Sequence, residues 1–227
     1  MKLNLLKTSL ILAVAFGAAL HSSNAQIITN GSFETPDVPT FVTIAAGQTN
    51  IAPWVVNSGT VDVVDASFGV SPSPAFQGQQ YLDLDGISPG RVTQSFATTI
   101  GLSYTINFAY ANNYINQPSA SATVRLFDVG GNRLLQTITH STSVPGNLNW
   151  TIFGDQFTAV QSTTSLEFSS LSSGPLPESG GGIFLDAVQI QVVPEPASAV
   201  LLLLGVTCCL SRRALRTNDR KAGEIAA

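Results

Sequence analysis

Apolar and polar side chains alternate with a period of two through most of residues 26–193, and no stretch there keeps the 3.6-residue period of an amphipathic helix. Tyr104, Ile106, Phe108 and Tyr110 fall on one side of such a run, with Ser103, Thr105 and Asn107 on the other. Leu82 and Leu84 alternate with Tyr81, Asp83 and Asp85, and Leu166 and Phe168 alternate with Ser165 and Glu167. Val92, Gln94 and Phe96 do the same against Arg91, Thr93 and Ser95. Gly130-Gly131-Asn132 separates two further runs, as the turn of a hairpin does. Additional strands are expected at 27–33, 60–65, 150–160 and 183–193, with longer connections at 41–53 and 66–79. Roughly nine or ten short strands punctuated by Pro/Gly turns predict one all-β domain, a β-sandwich.

The body contains no cysteine, since Cys208 and Cys209 both lie near the C-terminus, so disulfides and thiolate metal sites are excluded there. Between residues 26 and 193, Arg91, Arg125 and Arg133 stand against eleven acids, a formal charge of −8. A surface this acidic repels phosphate backbones, and no nucleic-acid partner is expected.

The two ends read as addresses. Lys2 and Lys7, the apolar run 10–20 and the small residues Ser23 and Ala25 form a secretory signal peptide over 1–25. At the other end, Pro194-Glu195-Pro196 precedes a 14-residue apolar run, Ala197–Leu210, and then Arg212, Arg213 and Arg216. A full membrane span needs about 20 apolar residues. The run therefore reads as a short hydrophobic anchor helix whose arginines keep the tail, 217–227, in the cytoplasm. The ordered set over 194–216 resembles the PEP-CTERM sorting signal of Gram-negative bacteria. That resemblance implies transient retention in the inner membrane and processing by an exosortase.

A second resemblance covers most of residues 26–193. Asn30-Gly31-Ser32-Phe33-Glu34, Trp54, Val61-Asp62-Val63-Val64, the Gly78–Gly86 stretch, Gln94-Ser95-Phe96 and Ile183–Val188 follow one another in an order similar to the choice-of-anchor C family. The resemblance implies a single galactose-binding-like jelly-roll β-sandwich and carbohydrate binding, with no known reaction. It also implies a structural Ca2+ held by Glu34, after the first strand, and Asp186, in the last. By alternation Asp186 shares a face with Phe184, Val188 and Ile190, where a carboxylate must be paired, protonated or metal-bound. The other reading is a solvated Glu34 and an Asp186 bonded to backbone amides.

Sugar binding needs aromatic faces beside fixed amides and carboxylates. Tyr110, Asn112, Asn113 and Tyr114 form the richest such cluster, and Tyr81 with Asp83 the next. Trp54, after Pro53 and before Val55-Val56, reads as core. His140, the one histidine of the body, reads as a solvated surface residue, and no G-x-S-x-G elbow, H-E-x-x-H or P-loop accompanies it. No catalytic residue is assigned. The composite expectation is an exported, noncatalytic protein of the cell surface or extracellular matrix that binds polysaccharide. Its alternatives are a structural or adhesion protein without glycan binding and a glycoside hydrolase using Asp83 and Asp85.

Overall fold

The computed structural model describes residues 27–69, 73–115, 118–171 and 181–194. Signal-peptide residues 1–25 and the sorting-motif residues Glu195, Pro196, Arg212 and Arg213 lie outside the described residues, and Pro194 is an exposed residue outside any strand.

The described residues form eleven strands: β1 Phe41–Ala45, β2 Val55–Ser58, β3 Thr60–Asp65, β4 Gln80–Asp83, β5 Arg91–Ala97, β6 Ser103–Asn112, β7 Ala120–Asp128, β8 Gly131–His140, β9 Thr151–Thr158, β10 Thr163–Ser170 and β11 Ile183–Val192. They form two antiparallel sheets, one of six strands in the order β1-β3-β4-β11-β6-β9 and one of five in the order β2-β5-β10-β7-β8. No helix occurs among the described residues. The fold is thus an all-β sandwich, as alternation predicts.

One side of each sheet supplies the main core. Ile44, Val61, Val63, Leu82, Leu185 and Ile106 come from the six-stranded sheet and meet Val92, Val124, Leu126, Leu166 and Phe168 from the other. Trp54 is buried at their centre, its ring 5.6 Å from Phe33 and 6.1 Å from Phe168, and its indole N–H donates to the carbonyl of Asn30 at 3.1 Å. Core burial and indole satisfaction are met together, as a buried Trp requires.

Three local readings are corrected. Residues 27–33 are not a strand. Asn30 and Phe33 take left-handed φ values of 52° and 56°, and single bonds tie the segment down: Ile27 N–H to Ile190 O at 3.2 Å, Val188 N–H to Gly31 O at 2.9 Å, and Gln94 gripping both backbone groups of Thr29 at 2.9 Å. The connection 41–53 contains β1. In β11, the register with β6 shifts between Asp186 and Gln189, and Ala187 takes a φ of 50°. This bulge inserts one residue and reverses the side-chain phase. Ile183, Leu185, Val188 and Ile190 all enter the main core, whereas Phe184 joins a separate cluster with Val64, Tyr81, Ala111 and Leu148. Asp186 therefore does not share the face of Val188 and Ile190.

Candidate functional site

The outer side of the six-stranded sheet carries a groove of about 740 Å³. Its floor follows from strand register. Thr43 of β1 lies opposite Asp62 of β3, Asp62 opposite Asp83 of β4, and Asp83 opposite Phe184 of β11. A parallel row runs Phe41, Val64 and Tyr81. Each is one residue out of phase with a core side chain, so the alternation that buries Val61, Val63 and Leu82 turns this set outward. Phe68, Ile87, Asn113, Tyr114, Ile115 and Leu148 build the walls from the connecting loops.

The rim is apolar and open. Phe41, Phe68 and Ile87 are exposed, and Ile115 is 70% exposed. The Phe41 and Phe68 rings lie 5.0 Å apart. Tyr81 is anchored by Phe184 at 4.7 Å and Trp150 at 5.8 Å, and Trp150 donates its indole N–H to Pro74 O at 3.0 Å. Four exposed apolar residues bordering one concavity form a contiguous patch of the kind that marks a binding surface.

The floor is acidic. Asp83 is buried, and its Oδ1 accepts the N–H groups of Asp85 at 2.9 Å and Gly182 at 3.2 Å. Its Oδ2 accepts the Asn113 amide at 3.0 Å, and Asn113 Oδ1 in turn accepts Ile115 N–H at 3.1 Å. Burial pushes the Asp83 carboxyl up to about 8, against these donors and with help from Asp62 and Asp85. Burial also raises Asp85, to about 6, and Asp62, with Asp62 adding to the rise of Asp85.

Of the residues singled out for sugar contact, the structure brings Tyr81, Asp83, Asn113 and Tyr114 together around this groove. Tyr110 and Asn112 lie outside its lining. Tyr110 packs on the main core with Phe108 at 6.0 Å and His140 at 5.9 Å. Asn112 is fully buried, its Oδ1 2.7 Å from His140 Nδ1 and accepting Ser143 N–H at 3.2 Å. His140 itself is buried, with Nε2 3.0 Å from Asn149 O, which corrects the expectation of a solvated ring. Phe41, Thr43, Asp62 and Phe68 were not picked out by sequence reasoning. Asp62 carried a usable signal, since it sits between Val61 and Val63 and must face away from them.

Asp186 and Glu34, the acids expected to hold Ca2+, lie outside the groove lining. Asp186 is 0% exposed; its Oδ2 accepts Gln77 N–H at 2.8 Å and its Oδ1 accepts Ala187 N–H at 2.6 Å. Glu34 Oε1 accepts the N–H groups of Gln79 and Gln80, both at 3.0 Å. Burial pushes Asp186 up to about 7, opposed by its backbone donors and reinforced by the Glu34 charge. The two acids are thus electrostatic neighbours. Gly78 makes room for Glu34: a Cβ there would lie 2.3 Å from Glu34 Oε1.

Together these features define a two-sheet antiparallel sandwich with an open, aromatic and acidic groove on one face. Residues 26–191 match the family described as protein of unknown function (DUF642), and the chain belongs to that family. It is 28% identical over 217 residues to halomucin of Haloquadratum walsbyi; the match takes in 92% of this chain and spans only 2% of halomucin. Among solved structures it is similar to TmCBM61 in complex with beta-1,4-galactotriose, with 16% identity, 74% of this chain and 99% of that one covered, and a TM-score of 0.48. It is also similar to the CBM22-1 xylan-binding domain of Paenibacillus barcinonensis Xyn10C, with 17% identity, 68% and 95% covered, and a TM-score of 0.38.

Proposed function

We propose that the protein is a noncatalytic glycan-binding protein and that the groove over β1, β3, β4 and β11 is its sugar site. The supporting observation is one concavity that combines exposed aromatic and aliphatic faces with hydrogen-bonding groups fixed by their neighbours, Asp83 and Asn113 above all. A sugar ring presents apolar C–H faces and a belt of hydroxyls, and such a surface answers both. The test is a glycan array probed with the full chain. Tyr114→Ala removes a wall residue at the edge of the second cluster and is expected to weaken the best ligand at least about tenfold, about 1.4 kcal/mol. Silence across neutral, amino and acidic glycans would overturn the proposal and favour the adhesion role.

The same reading includes export through the signal peptide and sorting through Pro194, Glu195, Pro196, Arg212 and Arg213 by an exosortase, ending at the cell surface or extracellular matrix. Its support is the fixed order of those motifs in the sequence. Fractionation that recovers the untrimmed chain from the cytosol would overturn it.

A structural Ca2+ between Glu34 and Asp186 is also proposed. Both groups are hard oxygen donors with lone pairs left after their backbone bonds, and neither has a salt-bridge partner among the described residues. The ion would supply only charge neutralisation and cross-linking of the 33–38 segment to β11. Millimolar CaCl2 is expected to raise Tm by several degrees, with EDTA reversing the rise and Asp186→Asn abolishing it. A Tm indifferent to both additions would remove the ion.

A further inference from the structure

The charges around the groove divide glycans into two classes. Asp62 and Asp83 face each other across β3 and β4, with Asp85 buried behind them. Among the described residues, no Lys, Arg or His lines the groove. The only Lys or Arg side chains among the described residues are Arg91, Arg125 and Arg133. All three sit on the five-stranded sheet, Arg91 and Arg125 facing Glu167 and Arg133 facing Asp128. Among the described residues, no cation in the groove could form an ion pair with a carboxylate or sulfate of a ligand. Asp62 Oδ1 is buried against Gly86, where a Cβ would lie 2.7 Å from it, and the Thr43 side chain hydrogen-bonds the carboxyl from β1. The residue lines the groove, where its carboxylate is the acidic group that meets a ligand.

Resting on the reading of the groove as a glycan site, we propose that it selects uncharged sugars and rejects uronic-acid and sulfated chains, with Asp62 as the specificity-determining residue. The Asp62 carboxylate in the groove accepts a hydroxyl of the bound sugar and repels an anionic sugar. The contact is short-range and the repulsion is electrostatic, so only the second is sensitive to salt.

The experiment compares the full chain with Asp62→Asn by calorimetry. The probes are neutral galacto-, gluco- and xylo-oligosaccharides, glucosamine oligomers and oligogalacturonates of matching length. The expected result is that at least one neutral series binds at least about tenfold more tightly than the uronates at 20 mM salt. The gap should shrink at 500 mM salt and in Asp62→Asn, whose unchanged or higher Tm reports an intact fold. Uronate binding equal to or tighter than the best neutral series would overturn the proposal while leaving the glycan site standing, as would preference for the cationic glucosamine oligomers. Absence of binding to every probe would overturn the glycan site itself.

Discussion

Gln80→Leu is expected to destabilise the protein by about 3–5 kcal/mol, lowering Tm by roughly 10 °C, although it replaces one buried side chain by another of similar size. Gln80 is 1% exposed at the start of β4. Its Oε1 accepts Val38 N–H at 2.6 Å, and its Nε2 donates to the carbonyls of Phe33 and Pro36, both at 2.8 Å. One amide thereby satisfies three backbone groups of a segment that has no strand of its own. Leucine would leave all three without a partner, each at a cost of about 1–3 kcal/mol before relaxation. The consequence spreads, because the 33–38 segment carries Phe33 into the core and Glu34 to Asp186. Gln136→Leu is the matched control: Gln136 is exposed and makes one bond, to Asp155 at 3.2 Å, so its loss is expected to cost under about 0.5 kcal/mol. Urea unfolding of both variants checks the comparison. A loss below about 1 kcal/mol in Gln80→Leu would show that the segment holds itself by other means.

Gln80 also marks where the sequence stops being readable. Period-two alternation is a local property. It correctly assigns Leu82 and Leu84 to one side and Tyr81 and Asp83 to the other, and from that two residues of the groove floor follow. Which strand lies beside β4 is not local. The row Thr43, Asp62, Asp83, Phe184 is created by pairing across four strands, and no spacing in the chain encodes it. The bulge in β11 is illegible for a different reason. Its left-handed residue is Ala187, where glycine or asparagine would have signalled the conformation, so counting by twos runs straight through it and misplaces Asp186. His140 shows the same limit from the polar side. A histidine closing a strand reads as solvated until Asn112 and Asn149, 28 and 9 residues away, are found to enclose it.

The carboxylates predict how stability depends on pH, and the sign is opposite to that of most acids in folded proteins. Asp83, Asp186 and Asp85 are pushed up to about 8, about 7 and about 6, in each case chiefly by burial. In the unfolded chain all three lose their protons near pH 4. Above that pH the folded form holds more protons than the unfolded one, so stability falls as pH rises, by as much as about 1.4 kcal/mol per pH unit for each group in its interval. Their contribution is fully present below about pH 4 and is lost progressively up to about pH 8, beyond which the slope vanishes. In EDTA, with no divalent ion to replace a proton on Asp186, a loss of at least about 3 kcal/mol between pH 5 and pH 8 is expected. Asp83→Asn should flatten this curve, at the cost of setting its NH2 against the Asn113 amide donor that Asp83 Oδ2 accepts. The amide keeps an acceptor for the N–H groups of Asp85 and Gly182 but carries no charge to repel Asp62 and Asp85. Chemical denaturation at half-unit pH intervals measures both slopes. A wild-type curve that rises from pH 5 to pH 8 would overturn the prediction by showing these acids ionised in the fold; loss of that rise in EDTA would assign it to a divalent ion.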